Sequence, residues 1–183
     1  MIYRFIERMK GKQQSPPRIP LSKMGWSWLG AFLGIYLVAG LSRRAEIPLL
    51  ESLFVVGSFG ASAVLIYGAP LAEFSQPRNL MGGHFFSAVI GVSVAHYLPL
   101  DITLLAALAV SLSIVTMQWT RTLHPPGGAT ALIAVVGGPE IHRLGYSYVL
   151  SPIVVGALLM LGVALVVNNL SDNPKRHYPR YWV

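Results

Sequence analysis

Cysteine is absent from all 183 residues, so disulfides, thiolate metal sites and thiol catalysis are excluded, and nothing marks a redox compartment. Acid is nearly as scarce. The seven Asp and Glu residues are scattered along the chain, which leaves no gathered carboxylates for acid–base catalysis or metal ligation. There is no G-x-S-x-G elbow and no H-E-x-x-H pair, patterns that would place a nucleophile or a zinc ion. His84, His96, His124 and His142 share no metal-ligand spacing on a common helix. No enzymatic activity, metal or cofactor is therefore expected. Charged residues make up only 11% of the chain, against roughly 25% in ordinary soluble domains, while 54% are hydrophobic. That balance identifies lipid as the solvent.

The formal charge of +7 would suit nucleic acid if the basic residues were spread over one face, but they gather at the ends. Residues 1–23 carry Arg4, Arg8, Lys10, Lys12, Arg18 and Lys23, and residues 172–183 carry Lys175, Arg176 and Arg180. These read as a basic cytoplasmic arm and a basic C-terminal tail flanking a transmembrane domain at 24–171, with both termini cytoplasmic and no nucleic acid partner. The arm lacks the apolar core and cleavage site of a signal peptide. An acid-poor organellar presequence is the alternative, and contact with anionic headgroups is a second use for the arm.

A helix needs about twenty mostly apolar residues to cross the hydrocarbon. Segments 26–42, 48–71, 79–99, 101–121 and 148–170 qualify, and 124–138 is short enough for a half-helix or a re-entrant piece. Cytoplasmic termini require an even count. Six crossings are expected, with five as the alternative if 124–138 dips in and returns; in the six-span scheme Arg43 and Arg44 fall on the outer face. The expected fold is an all-α polytopic transmembrane helix bundle. FGASAVLIYGAP (59–70) echoes GGATALIAVVGGP (127–139), which suggests two inverted three-segment repeats, 26–99 and 101–170, with broken or half helices.

Each echo stretch is a candidate anion site. Helix starts leave backbone N–H groups without intrahelical partners, glycine lets a ligand approach closely, and a hydroxyl adds a donor. The substrate-binding candidates are Ser58, Gly60, Ala61 and Ser62 in the first half, and His124, Gly127, Gly128, Ala129 and Thr130 in the second. Both half-helix starts are expected to converge near the midplane; close packing of small residues is the alternative use of the same motif. Ionisable residues in lipid mark function or a paired partner. Glu51, Gln76, Arg78, Asn79, His84 and Arg121 are the entrance or gating candidates, with Ser75–Asn79 forming an electropositive mouth and either His84 or His124 able to carry a proton.

The blocks ESLFVVGSFGASAVLIY (51–67), SQPRN with GGH after it (75–84), and LHPPGGATAL (123–132) resemble the signature blocks of the HPP integral membrane family, named for its His-Pro-Pro. The resemblance covers roughly residues 26–170. It implies a small multi-span protein, in a family described with about four membrane helices, and function by analogy with plastid and cyanobacterial relatives implicated in nitrite transport. On that basis the chain is expected to be a transporter or channel for a small inorganic anion, nitrite first, in a bacterial or cyanobacterial plasma (inner) membrane; six short spans enclosing little interior and faces of small residues predict a homo-oligomer. Residues 171–183 are expected to leave no room for the soluble regulatory module that some relatives carry. The alternative is a non-transporting membrane subunit that binds a partner protein or lipid.

Overall fold

The computed structural model describes residues 15, 17–44 and 49–183, apart from the side chains of 42, 44 and 49–54. Among them every regular element is helical: α1 Leu21–Arg44, α2 Leu49–Ala63 widening into a π-helical turn at Val64–Gly68, α3 Pro77–Tyr97, α4 Ile102–Trp119, α5 Pro125–Val136, the short α6 Pro139–Leu144, and α7 Val155–Asn169. A kinked lead-in, Val149–Val154, precedes α7, with Ser151 outside helical φ/ψ and Pro152 following it. Each hydrophobic segment of the sequence thus coincides with a helix, and α6 lies between two of them.

Among the described residues three helices are long and apolar enough to cross a bilayer: Leu21–Leu41, Ile102–Trp119 and Val149–Asn169. The 21-residue α3 has the length too, but Asn79, His84, Ser87, Ser93 and His96 make it more polar. The apolar stretches Val55–Gly68 and Pro125–Val136 are shorter. Helix α3 packs most extensively on α5 with α4 closing against both, α1 packs on α2 and α7, and α2 meets α5 in the middle. Glycine permits the closest of these crossings. A Cβ on Gly91 of α3 would lie 2.6 Å from the Ala131 carbonyl oxygen of α5, so only glycine lets these two backbones meet.

The half-helix start expected at the Ser58–Ser62 stretch is absent: α2 runs through Gly57–Gly60 without interruption. Ser58 Oγ donates to the Val55 carbonyl at 3.2 Å, a local bond that keeps a serine inside a helix. Val55 and Phe59 are fully buried, and their packing outweighs the roughly 1 kcal/mol that each helical glycine forfeits. The backbone changes later, at Val64–Gly68. There the Tyr67 ring lies across Gly30 of α1, and its hydroxyl donates to the Met160 carbonyl of α7 at 3.0 Å.

Residues 172–183 fold back on the bundle. Arg176 Nη1 donates to the Lys23 carbonyl at 3.1 Å, Tyr178 Oη to the Ser75 carbonyl at 2.8 Å, and the Arg180 backbone N–H to Gln76 Oε1 at 2.8 Å. The start of α1 and the residues after α7 therefore lie at the same end of the bundle, along with the 69–76 and 120–124 loops.

Candidate functional site

Where α2, α3 and α5 cross, five polar side chains meet in an apolar surround. Ser58 and Ser62 come from α2, His84 from α3, His124 and Thr130 from the start of α5; each is at most 1% exposed. Ser62 Oγ is 2.8 Å from His84 Nε2 and 2.9 Å from His124 Nε2. His84 Nδ1 is 2.7 Å from Thr130 Oγ1, which is 3.3 Å from Ser58 Oγ. His124 Nδ1 is 2.8 Å from the Phe74 carbonyl. The two imidazole centroids are 5.0 Å apart, and Phe59 leans on the His84 ring at the same separation.

Local sequence explains the placement. His124 precedes a proline, which excludes it from helical conformation; its extended backbone (φ −137°, ψ 103°) makes it the N-cap of α5 and turns its ring towards α2. Ser58 and Ser62 are four residues apart, so they share one face of α2. His84 follows Gly82 and Gly83; the latter leaves room for His124 to pack against the α3 backbone.

The Phe74 carbonyl can only accept, so His124 Nδ1 carries a hydrogen. In the neutral ring Nε2 must then accept, and Ser62 donates to it. Ser62 accepts in turn from His84 Nε2–H, and His84 Nδ1 accepts from Thr130. One fixed carbonyl thereby orients the whole chain. If the pair gains one proton, every link reverses: His124 donates to Ser62, Ser62 to His84 and His84 to Thr130, whose hydroxyl turns to the Pro126 carbonyl, 3.3 Å away. The cluster can take up a positive charge without losing a hydrogen bond.

The expected backbone donors are not available here. Pro125 and Pro126 fill the first two positions of α5 and carry no N–H, and the Gly127 N–H donates to the His124 carbonyl at 2.8 Å. The matching start in the first half does not exist, because α2 is continuous. The donors at the crossing are side chains. Gly127 serves instead as a contact point, since a Cβ there would lie 2.8 Å from both the Gly83 carbonyl and Ser87 Oγ; Ser87 Oγ is itself buried without a partner. Gly60 faces open space, Ala61 is exposed, and Gly128 and Ala129 line an outer apolar groove.

The entrance candidates divide. Arg78 donates to the Thr120 carbonyl at 2.9 Å and Asn79 to the Leu123 carbonyl at 2.8 Å. With Glu73, Arg121, Tyr181 and Val183 they line a surface cavity of about 270 Å³. Gln76 is fully buried; it ties the 70–72 turn to the C-terminal residues through Pro70, Ala72 and Arg180. His84 belongs to the core cluster rather than the mouth. The Glu51 side chain lies outside the described residues. Phe74 links mouth to cluster, being adjacent to Glu73 and bonded to His124. His84 is seven residues from the start of α3, about 10 Å along its axis at 1.5 Å per residue, so the cluster sits towards the mouth. At the other end a cavity of about 300 Å³ is lined by His96 and His142 among apolar residues.

Two participants carried no signal in the sequence: the Phe74 carbonyl, which any residue could provide, and Tyr148, whose hydroxyl donates to the Thr130 carbonyl at 3.0 Å. Among the described residues no group of three or more His, Asp or Glu side chains is placed to hold a metal.

An all-helical, lipid-facing bundle enclosing a small polar crossing defines an integral membrane protein. The chain belongs to the HPP transmembrane family, whose transmembrane-region model matches residues 16–179. It is similar to two proteins of Dictyostelium discoideum described as transmembrane proteins: 46% identical over 181 residues, covering 97% of this chain and 57% of the relative, and 48% identical over 175 residues, covering 94% and 60%. The chain thus spans about three-fifths of those relatives' length. No solved structure matches it.

Proposed function

We propose that this HPP region is a transporter or channel for a small inorganic anion, nitrite fitting best, with the His84–Ser62–His124 crossing as its gate and proton carrier. The observation that carries this reading is the crossing itself: two histidines, Ser62 and Thr130, fully buried and joined in one unbroken chain from the Phe74 carbonyl to Thr130, with Ser58 beside its end. Polar groups at such depth are costly, and by default they serve passage of an ion or proton. Arg78 and Arg121 at the mouth attract an anion. Protonation of the pair supplies a positive charge deeper in, and Ser58, Ser62 and Thr130 supply hydroxyls. A second cavity at the far end of α3 and α5 offers the exit. A site without a fixed lysine or arginine releases its ion readily, as conduction requires.

In this proposal both termini are cytoplasmic. The end of the bundle that holds the mouth also holds Arg18, Lys23, Arg78, Arg121, Lys175, Arg176 and Arg180, against Arg43, Arg44 and Arg143 at the other. The membrane would be a plasma (inner) membrane and the assembly a homo-oligomer.

Nitrite flux into proteoliposomes tests the reading, with wild type compared to folded His124→Ala and with and without an imposed pH gradient. Saturable uptake that responds to the gradient and disappears in the variant is expected. Wild-type flux equal to that of empty liposomes, for nitrite and for nitrate, formate and bicarbonate alike, would discard it.

A further inference from the structure

Arg176 lies in the short turn after α7, 3% exposed. Its Nη1 donates to the Lys23 carbonyl and Ser27 Oγ, both at 3.1 Å, and its Nη2 to the Tyr67 carbonyl at 3.0 Å and Asn168 Oδ1 at 2.7 Å. All four acceptors are neutral, and Nε is buried with no partner. Among the described residues no carboxylate reaches this guanidinium, although a buried charge ordinarily has a counter-charge. Burial pulls its pKa down.

Arg176 lines a cavity of about 230 Å³ together with Lys23, Lys175, Ser27, Ile19 and the 68–72 turn. Neither lysine has an acidic partner among the described residues, so three cations face one cavity with no negative charge to balance them. Lys23 stands at the start of the first apolar span, Leu21–Leu41. That places the cavity at the level of the headgroups, where basic residues meet lipid phosphate. Exposed Ile19, Leu21 and Trp28 flank it with apolar surface suited to the acyl region.

We propose that Lys23, Lys175 and Arg176 form a binding site for a phosphate group, supplied by the headgroup of an anionic phospholipid or by soluble phosphate. A phosphate there neutralises the buried guanidinium and clamps the residues after α7 onto α1. It does so beside the contacts that tie Tyr178 and Arg180 to the 75–76 segment.

The test uses the full chain purified in a mild detergent and re-lipidated with phosphatidylglycerol or phosphatidylcholine, read by native mass spectrometry of retained lipid, with inorganic phosphate titrated as competitor. Lys23→Gln and Lys175→Gln leave the Arg176 hydrogen bonds in place, because Lys23 takes part only through its carbonyl. Arg18→Gln removes an exposed cation outside the cavity. Selective retention of phosphatidylglycerol is expected, weakened about fivefold by each lysine variant and unchanged by Arg18→Gln. If instead inorganic phosphate binds, with the same dependence on the two lysines and no lipid preference, the site is confirmed with the soluble source. No binding of either, or equal losses in all three variants, overturns the site. Because the readout is binding, the result is independent of anion flux.

Discussion

Replacing Ser62 by alanine removes the one atom that joins the two histidines. Its hydroxyl lies 2.8 Å from His84 Nε2 and 2.9 Å from His124 Nε2, at zero exposure, so no water replaces it. In the neutral cluster the deletion strands an N–H donor on His84 and an acceptor nitrogen on His124. A buried polar group left without its partner costs about 1–3 kcal/mol. Two such groups set a range of about 2–6 kcal/mol, and the alanine methyl recovers little because the hydroxyl is already packed. With imidazole centroids 5.0 Å apart, a direct but poorly aligned ring-to-ring bond recovers part of this, leaving an expected loss of about 2–4 kcal/mol. Reversible unfolding of the purified protein in mixed micelles measures it. A double-mutant cycle with His124→Ala isolates the shared bond, and a coupling of about 0.5–3 kcal/mol is expected for residues in one network. A Ser62→Ala protein within 0.5 kcal/mol of wild type, or additivity in the cycle, would refute the bridged geometry and the relay drawn from it.

Helix α2 and its neighbours yield further tests by the same unfolding assay. Gly57→Ala meets nothing within 4 Å; if α2 is continuous there, stability rises by about 0.5–1 kcal/mol, whereas a loss would restore the break that α2 lacks. Gly91→Ala pushes a methyl against the Ala131 carbonyl and the Ala134 Cβ and is expected to cost about 1–3 kcal/mol. Tyr148→Phe deletes the bond to the Thr130 carbonyl, for a loss of about 1 kcal/mol; no loss would show that Tyr148 does not brace the start of α5.

Much of the fold was legible because a bilayer imposes length and polarity rules on short stretches of chain. The runs at 26–42 and 101–121 are apolar for the length of a crossing, and both became helices. Pro77 and Pro125-Pro126 started helices, as proline does in the first turn. The glycines of α2 misled because a helix keeps an exposed glycine when its neighbours are packed, and the burial of Val55 and Phe59 is a tertiary fact. The internal echo aligned Ser62 with Thr130, and both reached the crossing. Their roles still differ: Ser62 bridges two histidines that are 40 residues apart in sequence, whereas Thr130 ends the chain on His84. Such a difference depends on the angles at which helices cross, which no local pattern encodes. Phe74 contributes through its backbone and Arg176 through four neutral acceptors, so neither had a partner visible along the chain.

The absence of cysteine makes the orientation directly measurable, because any introduced thiol is the sole one. The contact between Arg176 and Lys23 puts both ends of the transmembrane domain on one side. From there α1 runs 24 residues to Arg44 and α3 runs 21 residues away from the mouth to Tyr97, about 30 Å or more at 1.5 Å per residue. If both helices span, Arg43 and Leu100 emerge on the opposite side. Arg18→Cys and Asp172→Cys lie at exposed positions at the mouth end, and Arg43→Cys and Leu100→Cys at exposed positions at the far end. In intact cells a membrane-impermeant maleimide is expected to label the second pair only, and in inverted vesicles the first pair only. These are the sides of the proposed orientation, which rests on the lysine and arginine gathered at the mouth end and on the retention of positive charge near span ends in the cytoplasm. Labelling of all four positions from one side would remove the spanning assignment of α1 and α3. Labelling of the first pair in intact cells would keep those spans and reverse the orientation, leaving Arg78 and Arg121 to gather anions from outside the cell.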